Sequence, residues 1–265
     1  PTVVRFCRSV GYDGLADFKL KLAGSVNEGV PFVHRSVDED DKAGDLIVKV
    51  IDNAVAAMLR YRNAAAEQTI ERAIAALAEA GRQGRRLEFY GVGNSGIVAH
   101  DAQHKFFRLG VTAAAVTDGH VQVMSATMLS PGDCAVIISN SGRSRDLLDV
   151  DQSARRQGAT VIVITASGSP LARQAQGPQH ILLAADHPED ADRYSPMVSR
   201  LLHLMIVDIL TTGVALRLGS AQLRPALQAI KKNLRERRYV GAPGAAAYEA
   251  EDDGDGASDS SVSTP

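Results

Sequence analysis

The stretch Leu87-Glu-Phe-Tyr-Gly-Val-Gly-Asn-Ser-Gly96 decides the fold of this chain. A short run of apolar and aromatic residues leads into glycines with G-x-G-x-x-G spacing, which is typical of a strand, a tight turn and the start of a helix. The glycines let the backbone approach an anion at the helix N-terminus, where unpaired N–H groups and the helix dipole favour negative charge. Alone, the motif leaves three alternatives open: a dinucleotide, another anion, or a turn without a ligand.

Four further short runs, rich in apolar and β-branched residues, follow at 112–116, 135–138, 160–165 and 180–183. Helical patterns or helix-sized gaps separate them, which predicts right-handed βαβ units and a five-stranded parallel sheet. The composition agrees with this prediction. The chain has no Trp and only 5% aromatic residues, so its core must consist of Ala, Val, Leu and Ile, as in parallel sheets covered by helices. The predicted fold class is α/β.

A second loop with phosphate-binding character, Ser139-Asn-Ser-Gly-Arg-Ser144, follows the third strand. Its three hydroxyls, together with backbone N–H groups, can surround one phosphate. The alternative is a helix cap and a solvated turn. In a sheet of order 2-1-3-4-5, ligands bind where the strand order reverses, between strands 1 and 3. We therefore expect Ser95 and Ser139 to face one crevice, where two helix N-termini hold a phosphate.

Together these two loops resemble the SIS (sugar isomerase) domain, a phosphosugar-binding fold with that strand order. The resemblance extends through 101–110, Gly168-Ser-Pro-Leu-Ala172 and Tyr194-Ser-Pro-Met-Val-Ser-Arg200. With the segments 2–8 and 17–22 included, the pattern is similar to RpiR-type transcription regulators, especially their HexR branch. The resemblance implies a cytoplasmic regulator in which a helix-turn-helix domain binds operator DNA and the SIS domain senses a sugar phosphate. For this branch the implied effector is 2-keto-3-deoxy-6-phosphogluconate, and the implied target is glucose catabolism.

Carried over residue by residue, the resemblance implies two sets of binding residues. The effector and phosphate set is Gly93, Asn94, Ser95, Ser139, Asn140, Ser141, Arg143 and Ser144. The DNA-binding set, on or beside the recognition helix, is Thr2, Val3, Arg5 and Arg8. Such regulators have further helices before this point, so we expect a truncated DNA-binding domain whose remnant binds operator DNA weakly or not at all.

Four segments are expected along the chain. Residues 1–26 are the end of the helix-turn-helix domain, 27–45 a linker, 46–240 the SIS domain with flanking helices, and 241–265 a disordered acidic tail. Amphipathic helices are predicted near 46–61 and 67–80, a long apolar helix from 196 to 216 and a basic helix over 221–238. A homodimer or homotetramer is expected, with the apolar helix as core or as interface.

Composition excludes several protein classes. Cys7 and Cys134 lie far apart and predict no disulfide framework, and the apolar stretch Leu201–Leu216 contains His203 and Asp208, which argues against a membrane span. The formal net charge is −2, but six acids lie in the last 25 residues, so the remaining chain is mildly basic. That balance permits nucleic-acid binding without predicting it.

Several charged and histidine side chains could contact a metal or a ligand, or could have only a structural role. His100 and His104 are four apart on one helical face, but no third ligand accompanies them, and neither a metal nor a cofactor is expected. Lys105 could turn towards an anionic ligand, and Asp118 and His120 are placed to touch a sugar or to sit in a solvated loop. Arg143 is a plausible partner for a carboxylate.

Two enzyme classes compete with the regulator. A sugar-phosphate isomerase or lyase of the same fold would need a base, for which His120, Glu189 and Asp190 are candidates without a recognisable signature. A nicotinamide oxidoreductase would use Asp118 for the ribose, but it does not need the second, serine-rich loop. The sequence therefore favours a non-enzymatic regulator.

Overall fold

A computed structural model of the protein describes residues 38, 40–175, 177–187 and 198–219, with isolated positions 223, 228, 231–233 and 235. The predicted helix-turn-helix remnant, including Thr2, Val3, Arg5 and Arg8, lies outside the described residues. So do residues 241–265 and most of the predicted basic helix. The domain boundaries given above stay a prediction.

The described chain alternates strands with helices after two initial helices. The helices are α1 (Ala43–Ala64), α2 (Glu67–Arg82), α3 (Asn94–Arg108), α4 (Gly119–Thr127), α5 (Arg145–Arg156), α6 (Pro170–Gln174) and α7 (Val198–Leu218). The strands are β1 (Leu87–Tyr90), β2 (Ala113–Val116), β3 (Cys134–Ile138), β4 (Thr160–Thr165) and β5 (His180–Ala184).

The five strands form one parallel sheet of order β2-β1-β3-β4-β5, which confirms the predicted order. In the register, Tyr90 at the end of β1 lies opposite Ile137 near the end of β3. From β1 the chain first adds β2 on one side of the sheet and then β3, β4 and β5 on the other, so the strand order reverses between β1 and β3. Their carboxyl ends therefore flank the crevice where parallel α/β sheets bind ligands.

Helices cover both faces of the sheet, so its central strands are buried on two sides. Helices α2, α3 and α7 pack on one face, where Phe89, Val136 and Ile164 join the core. Helices α4, α5 and α6 cover the other face, where Tyr90, Ile137 and Val163 are buried. Because each strand contributes apolar residues to both cores, β1, β3 and β4 are continuous hydrophobic runs, as expected for a parallel sheet.

Helix α7 belongs to the core of the protein. By length and composition alone it could cross a membrane, and among the described helices it is the one that meets that criterion. Nine of its residues are buried, and it packs against α1, α2 and α3. Its apolar character is therefore explained by burial inside the protein, as the sequence predicted for 201–216.

Several element ends differ from the sequence prediction. Helix α1 begins at Ala43, three residues before the predicted start and inside the predicted linker. Strand β1 ends at Tyr90 because the chain turns sharply at Gly91, where a Cβ would lie 2.5 Å from the carbonyl oxygen of Ser95. Such a turn cannot continue the extended strand to Val92, as the apolar pattern had predicted.

Packing between α2 and α7 gives a test of the fold. A Cβ at Gly213 would lie 2.4 Å from Cδ1 of the buried Ile74, so Gly213→Val should overpack this contact and lower the free energy of unfolding by about 1–3 kcal/mol. Gly44→Ala, where a Cβ meets nothing within 4 Å, should leave it unchanged or raise it. Urea unfolding of both variants measures the difference. Equal stability of the two would contradict the described packing.

Candidate functional site

The glycine turn after β1 is tight and leads directly into helix α3. Gly93 is the N-cap of α3 and has φ +55°, a left-handed conformation that glycine adopts without strain. The N–H of Ser95 donates to the carbonyl of Val92 at 3.1 Å, and that of Gly96 to Gly93 at 3.0 Å. The turn therefore brings the start of a 15-residue helix to the edge of the sheet.

The serine loop, defined as residues 139–144, is held in shape by its own side chains. The Oγ of Ser139 accepts the N–H of Gly142 at 3.0 Å, and the Oγ of Ser141 accepts the N–H of Arg143 at 3.4 Å. Ser144 is the N-cap of α5, but its hydroxyl caps none of the helix N–H groups. Ser139 thus organises the loop and can still donate its hydroxyl hydrogen, whereas Ser144 leaves its hydroxyl and the first turn of α5 available.

The glycine turn and the serine loop lie at the same edge of the sheet, after adjacent strands. Ser95 and Ser139 are both buried, at 9% and 5% exposure. Two helices of 15 and 12 residues, α3 and α5, begin there, and the first N–H groups of a helix have no partner within it. The arrangement suits an anion between β1 and β3. The assignment of individual binding residues remains a prediction.

A cavity of about 260 Å³ opens on the other side of the serine loop, at the ends of β3, β4 and β5. We call it the arginine cavity. The residues that line it are Asn140, Ser141, Arg143, Ala166, Gly168, Ser169, Pro170, Arg173 and His187. Asn140, Ser141 and Arg143 belong to the predicted set, whereas Ser169, Arg173 and His187 do not. Ser169 lies in the segment Gly168–Ala172, which shares the family resemblance, but Arg173 and His187 belong to no motif.

Hydrogen bonds join the three loops around the arginine cavity. The N–H of Leu171 donates to the carbonyl of Gly142 at 3.1 Å, which ties α6 to the serine loop. The Nε2 of His187 lies 2.5 Å from Oδ1 of Asn140. Because an amide oxygen only accepts, Nε2 carries the proton in this contact. These two contacts connect the loops that follow β3, β4 and β5 around the cavity.

Two side chains considered from the sequence, Lys105 and Asp118, have other roles. Lys105 forms ion pairs with Asp101 at 2.7 Å and with Asp208, so it does not turn towards a ligand. Burial lowers the pKa of Lys105, but its hydrogen bonds to Asp101 and Asp208 outweigh this and the pKa is raised. Asp118 caps α4 by accepting the N–H of Val121 at 3.1 Å, which explains this acid without a ribose.

The histidine candidates stay at the surface. His100, His104 and His120 are exposed, and the described residues contain no cluster of three or more His, Cys, Asp or Glu able to hold a metal. Cys134 is a free, buried thiol, and burial raises its pKa to about 12. It is therefore neither a metal ligand nor a reactive nucleophile.

Two buried carboxylates lie away from the site and serve the packing of the sheet. Glu88 accepts hydrogen bonds from Arg86, Tyr90 and Ser125, the last at 2.5 Å. Asp151 on α5 lies 2.8 Å from Nε2 of His180 on β5. Both acids are neutralised by neighbours within the fold, so neither is placed to act on a ligand at the loops.

Comparison with known proteins places this site in a family. The profile of the SIS domain matches residues 82–213. The HTH-type transcriptional regulator HexR of Escherichia coli is 42% identical over 239 residues, which cover 90% of this chain and 80% of that protein. The bifunctional protein glk of Burkholderia thailandensis is 46% identical over 229 residues, 86% of this chain, but the chain spans only 34% of its length.

A solved structure has the same fold. The Vibrio vulnificus NanR protein complexed with ManNAc-6P superposes with a TM-score of 0.66 and covers 90% of this chain and 81% of that one, at 23% identity. At this level of identity the likeness concerns the fold. The sheet order and the helices on both faces are thus those of a solved SIS-domain architecture.

The approach of the serine loop to β4 makes Gly142 irreplaceable. It has φ +59°, and a Cβ there would lie 2.4 Å from Oγ of Ser169 and 2.7 Å from Oγ1 of Thr165. Gly142→Ala should therefore lower the free energy of unfolding by about 2 kcal/mol or more. Gly168→Ala, nearby and with open space around the new methyl, should change it little. Thermal unfolding measures the stability of both variants. Similar melting temperatures for Gly142→Ala and Gly168→Ala would contradict the close contact between the serine loop and β4.

Proposed function

The chain belongs to the RpiR family of SIS-domain transcription regulators, in its HexR-like branch, and on this premise we propose that its SIS domain binds a sugar-phosphate effector between β1 and β3. Binding of the effector controls DNA binding by the regulator. The observation that carries the proposal is the pairing of the glycine turn with the serine loop at the carboxyl ends of two adjacent strands.

The phosphate is assigned to the predicted residues of both loops. Backbone N–H groups at the start of α5 supply donors, and hydroxyls from Ser95, Ser139, Ser141 and Ser144 complete the shell. Gly93 and Asn94 allow the close approach of the backbone on the β1 side. The Vibrio vulnificus NanR protein, which has the same fold, was solved as a complex with ManNAc-6P, and this supports a phosphosugar as the ligand class.

For the HexR-like branch we propose 2-keto-3-deoxy-6-phosphogluconate as the effector and genes of glucose catabolism as the target. The relatives named HexR support a regulator of this kind. The protein is proposed to act in the cytoplasm, where both the effector and the DNA are found. No cofactor is needed for this function.

DNA binding is proposed for residues 1–26, the end of a helix-turn-helix domain. Thr2, Val3, Arg5 and Arg8 are the residues assigned to the operator contact. Arg5 and Arg8 are three apart, so in the helix predicted from the sequence they would share one face, from which arginine can reach phosphates or guanine edges. HexR of Escherichia coli aligns with 90% of this chain and with 80% of its own length, which supports a DNA-binding regulator.

A homodimer is the minimum assembly proposed for this regulator. Helix α1 exposes an apolar stripe, Ile47, Ile51, Val55 and Leu59, each four residues after the last. Residues four apart share one helical face, so the stripe is continuous and needs a partner. A second copy of the chain is the proposed partner, because regulators of this type read two half-sites with two-fold symmetry.

The main competing function is catalysis by the same fold, as an isomerase or lyase acting on a sugar phosphate. Of the candidate bases, His120 is exposed on α4, while Glu189 and Asp190 lie outside the described residues. Turnover of an aldose or ketose phosphate that is lost in His120→Ala or Glu189→Ala would favour the enzyme. Binding without turnover would favour the regulator.

Removing a single hydroxyl tests the phosphate site. Ser144→Ala should weaken binding of 2-keto-3-deoxy-6-phosphogluconate by about tenfold to a hundredfold, because a hydrogen bond to a charged group contributes about 1.5–3 kcal/mol. Ser139→Ala should weaken it at least as much, since it also removes the acceptor of the Gly142 N–H. Isothermal titration calorimetry measures both.

The matched control for these variants is Ser153→Ala, because Ser153 lies on α5 more than two turns beyond Ser144. Its affinity should equal that of the unmodified protein. If Ser139→Ala and Ser144→Ala also bind the effector unchanged, the phosphate site has been misplaced.

The proposed dimer interface has its own test. Introducing charge into the stripe with Ile51→Glu and Val55→Glu should produce monomers, because burying two unpaired carboxylates in an apolar interface is unfavourable. Light scattering coupled to size-exclusion chromatography reports the mass. Met128→Glu, at an exposed position just after α4 on the opposite face of the sheet, should remain dimeric. A dimer in both variants would place the interface elsewhere.

A further inference from the structure

A second pocket lies between helices α1, α2 and α7, away from the loops that follow the strands. Its volume is about 590 Å³, and we call it the tyrosine pocket, after Tyr61 in its wall. It shares no residue with the arginine cavity, the glycine turn or the serine loop. Pockets that enclose a small molecule have volumes of about 300–1,000 Å³, so the tyrosine pocket is large enough to hold one.

Most of the wall of the tyrosine pocket is apolar. Met58 and Leu59 come from α1, Ile70 from α2, and Met205 and Ile209 from α7. Leu59 and Met205 are exposed at 43% and 38%, although both are large apolar side chains. Burial of apolar surface by a ligand is favourable, because it removes that surface from water. The wall therefore favours a ligand that is itself largely apolar.

One polar group in the wall lacks a partner. The side chain of Tyr61 is buried, at 7% exposure, and its hydroxyl forms no hydrogen bond with any residue that the structure describes. Burial raises the pKa of Tyr61 to about 12, so the hydroxyl keeps its proton at neutral pH and can donate as well as accept. Buried polar groups are normally hydrogen-bonded. Since Tyr61 lines the pocket, a ligand there can supply the missing hydrogen bond.

The charges of the lining balance each other. Arg62 and Glu67 have opposite charges, and both are exposed. The third charged residue of the lining, Glu71, forms an ion pair with Arg217. An ionic ligand would therefore gain no net attraction from the lining, and it would lose hydration on entering an apolar pocket. An uncharged ligand avoids this cost.

From the apolar wall, the unpartnered hydroxyl and the balanced charges we infer that the tyrosine pocket binds an uncharged, largely apolar small molecule that forms one hydrogen bond with Tyr61. The inference does not depend on the phosphate site, and it adds a second class of ligand to the protein. Leu59 belongs both to this pocket and to the apolar stripe of α1. A ligand that joins α1 to α7 thus acts on the helix through which two copies are proposed to meet.

Fluorescence titration of the full chain with N-phenyl-1-naphthylamine, an uncharged apolar dye with one N–H group, tests the inference. The dye should bind saturably, with one site per chain. Met205→Trp should weaken binding about tenfold or more, because the larger side chain occupies part of the pocket. The matched control is Leu216→Trp, since Leu216 is exposed on α7 and does not line the pocket. It should leave the affinity unchanged.

Two ligands of matched shape isolate the hydrogen bond. At neutral pH 2-naphthol carries an uncharged hydroxyl where 2-methylnaphthalene carries a methyl group, and displacement of the dye measures the affinity of each. Tyr61→Phe should lower the affinity for 2-naphthol, relative to that for 2-methylnaphthalene, by about threefold to tenfold, which is the usual contribution of a neutral hydrogen bond. Naphthalene-2-carboxylate, which is charged, should bind the unmodified protein more weakly than 2-naphthol does.

The stability of Tyr61→Phe separates a binding role from a structural one. The substitution removes a buried hydroxyl that has no partner among the described residues, so the melting temperature without ligand should equal or exceed that of the unmodified protein. A lower melting temperature would show that the hydroxyl is bonded within the protein and would overturn the inference.

Each contrary binding result has a distinct meaning. No saturable binding of the dye, unchanged binding in Met205→Trp, an unchanged preference for 2-naphthol in Tyr61→Phe, or tighter binding of the carboxylate would overturn the inference. Dye binding to the variant with Ile51→Glu and Val55→Glu, but not to the unmodified protein, would also overturn it and would make a second copy of the chain the occupant of the pocket. Loss of 2-keto-3-deoxy-6-phosphogluconate binding has no bearing on these results and concerns the proposed function alone.

Discussion

The position of β3 between β1 and β4 is the constraint on which the site depends. Because β3 is central, the serine loop at its carboxyl end has a neighbouring loop on each side. On the β4 side the approach is close enough that only glycine fits at 142, and α6 donates a backbone hydrogen bond to that same residue. On the β1 side lies the turn that opens α3. The loop therefore cannot move without disturbing the end of β4 and the start of α6.

The sequence predicts the fold well because the signals that determine it are local. The glycine spacing at 91–96 reflects the sharp turn, where the backbone of Ser95 comes too close to Gly91 for a side chain. The continuous apolar runs reflect strands that are buried on both faces of the sheet. The element ends are less well predicted. Val92 reads as part of a strand in a pattern of apolar residues, yet the contact between Gly91 and the backbone of Ser95 ends the strand before it.

The site is predicted less completely, because half of the cavity comes from residues that meet only in three dimensions. Arg173 and His187 follow β4 and β5 and belong to no motif with the serine loop. Local patterns also mislead in the opposite direction. Asp118 stands where a ribose-binding acid would be, but its carboxylate caps α4. Lys105 pairs with Asp101 on its own helix and with Asp208 on α7, which is more than ninety residues away in the chain.

The packing of the helices on one face of the sheet connects the site to the part of the chain that precedes it. Helix α3 starts at the glycine turn and packs on α7, and α7 packs on α1, which follows the proposed DNA-binding segment in sequence. Protein interiors are packed as densely as crystals, so a helix that shifts at one end must displace the side chains it touches. For the proposed regulator, an effector that draws the starts of α3 and α5 together acts on α7 and hence on the apolar stripe of α1. The stripe is where two copies are proposed to meet. A shift of α1 caused by the effector would therefore also change the spacing of the two proposed DNA-binding segments.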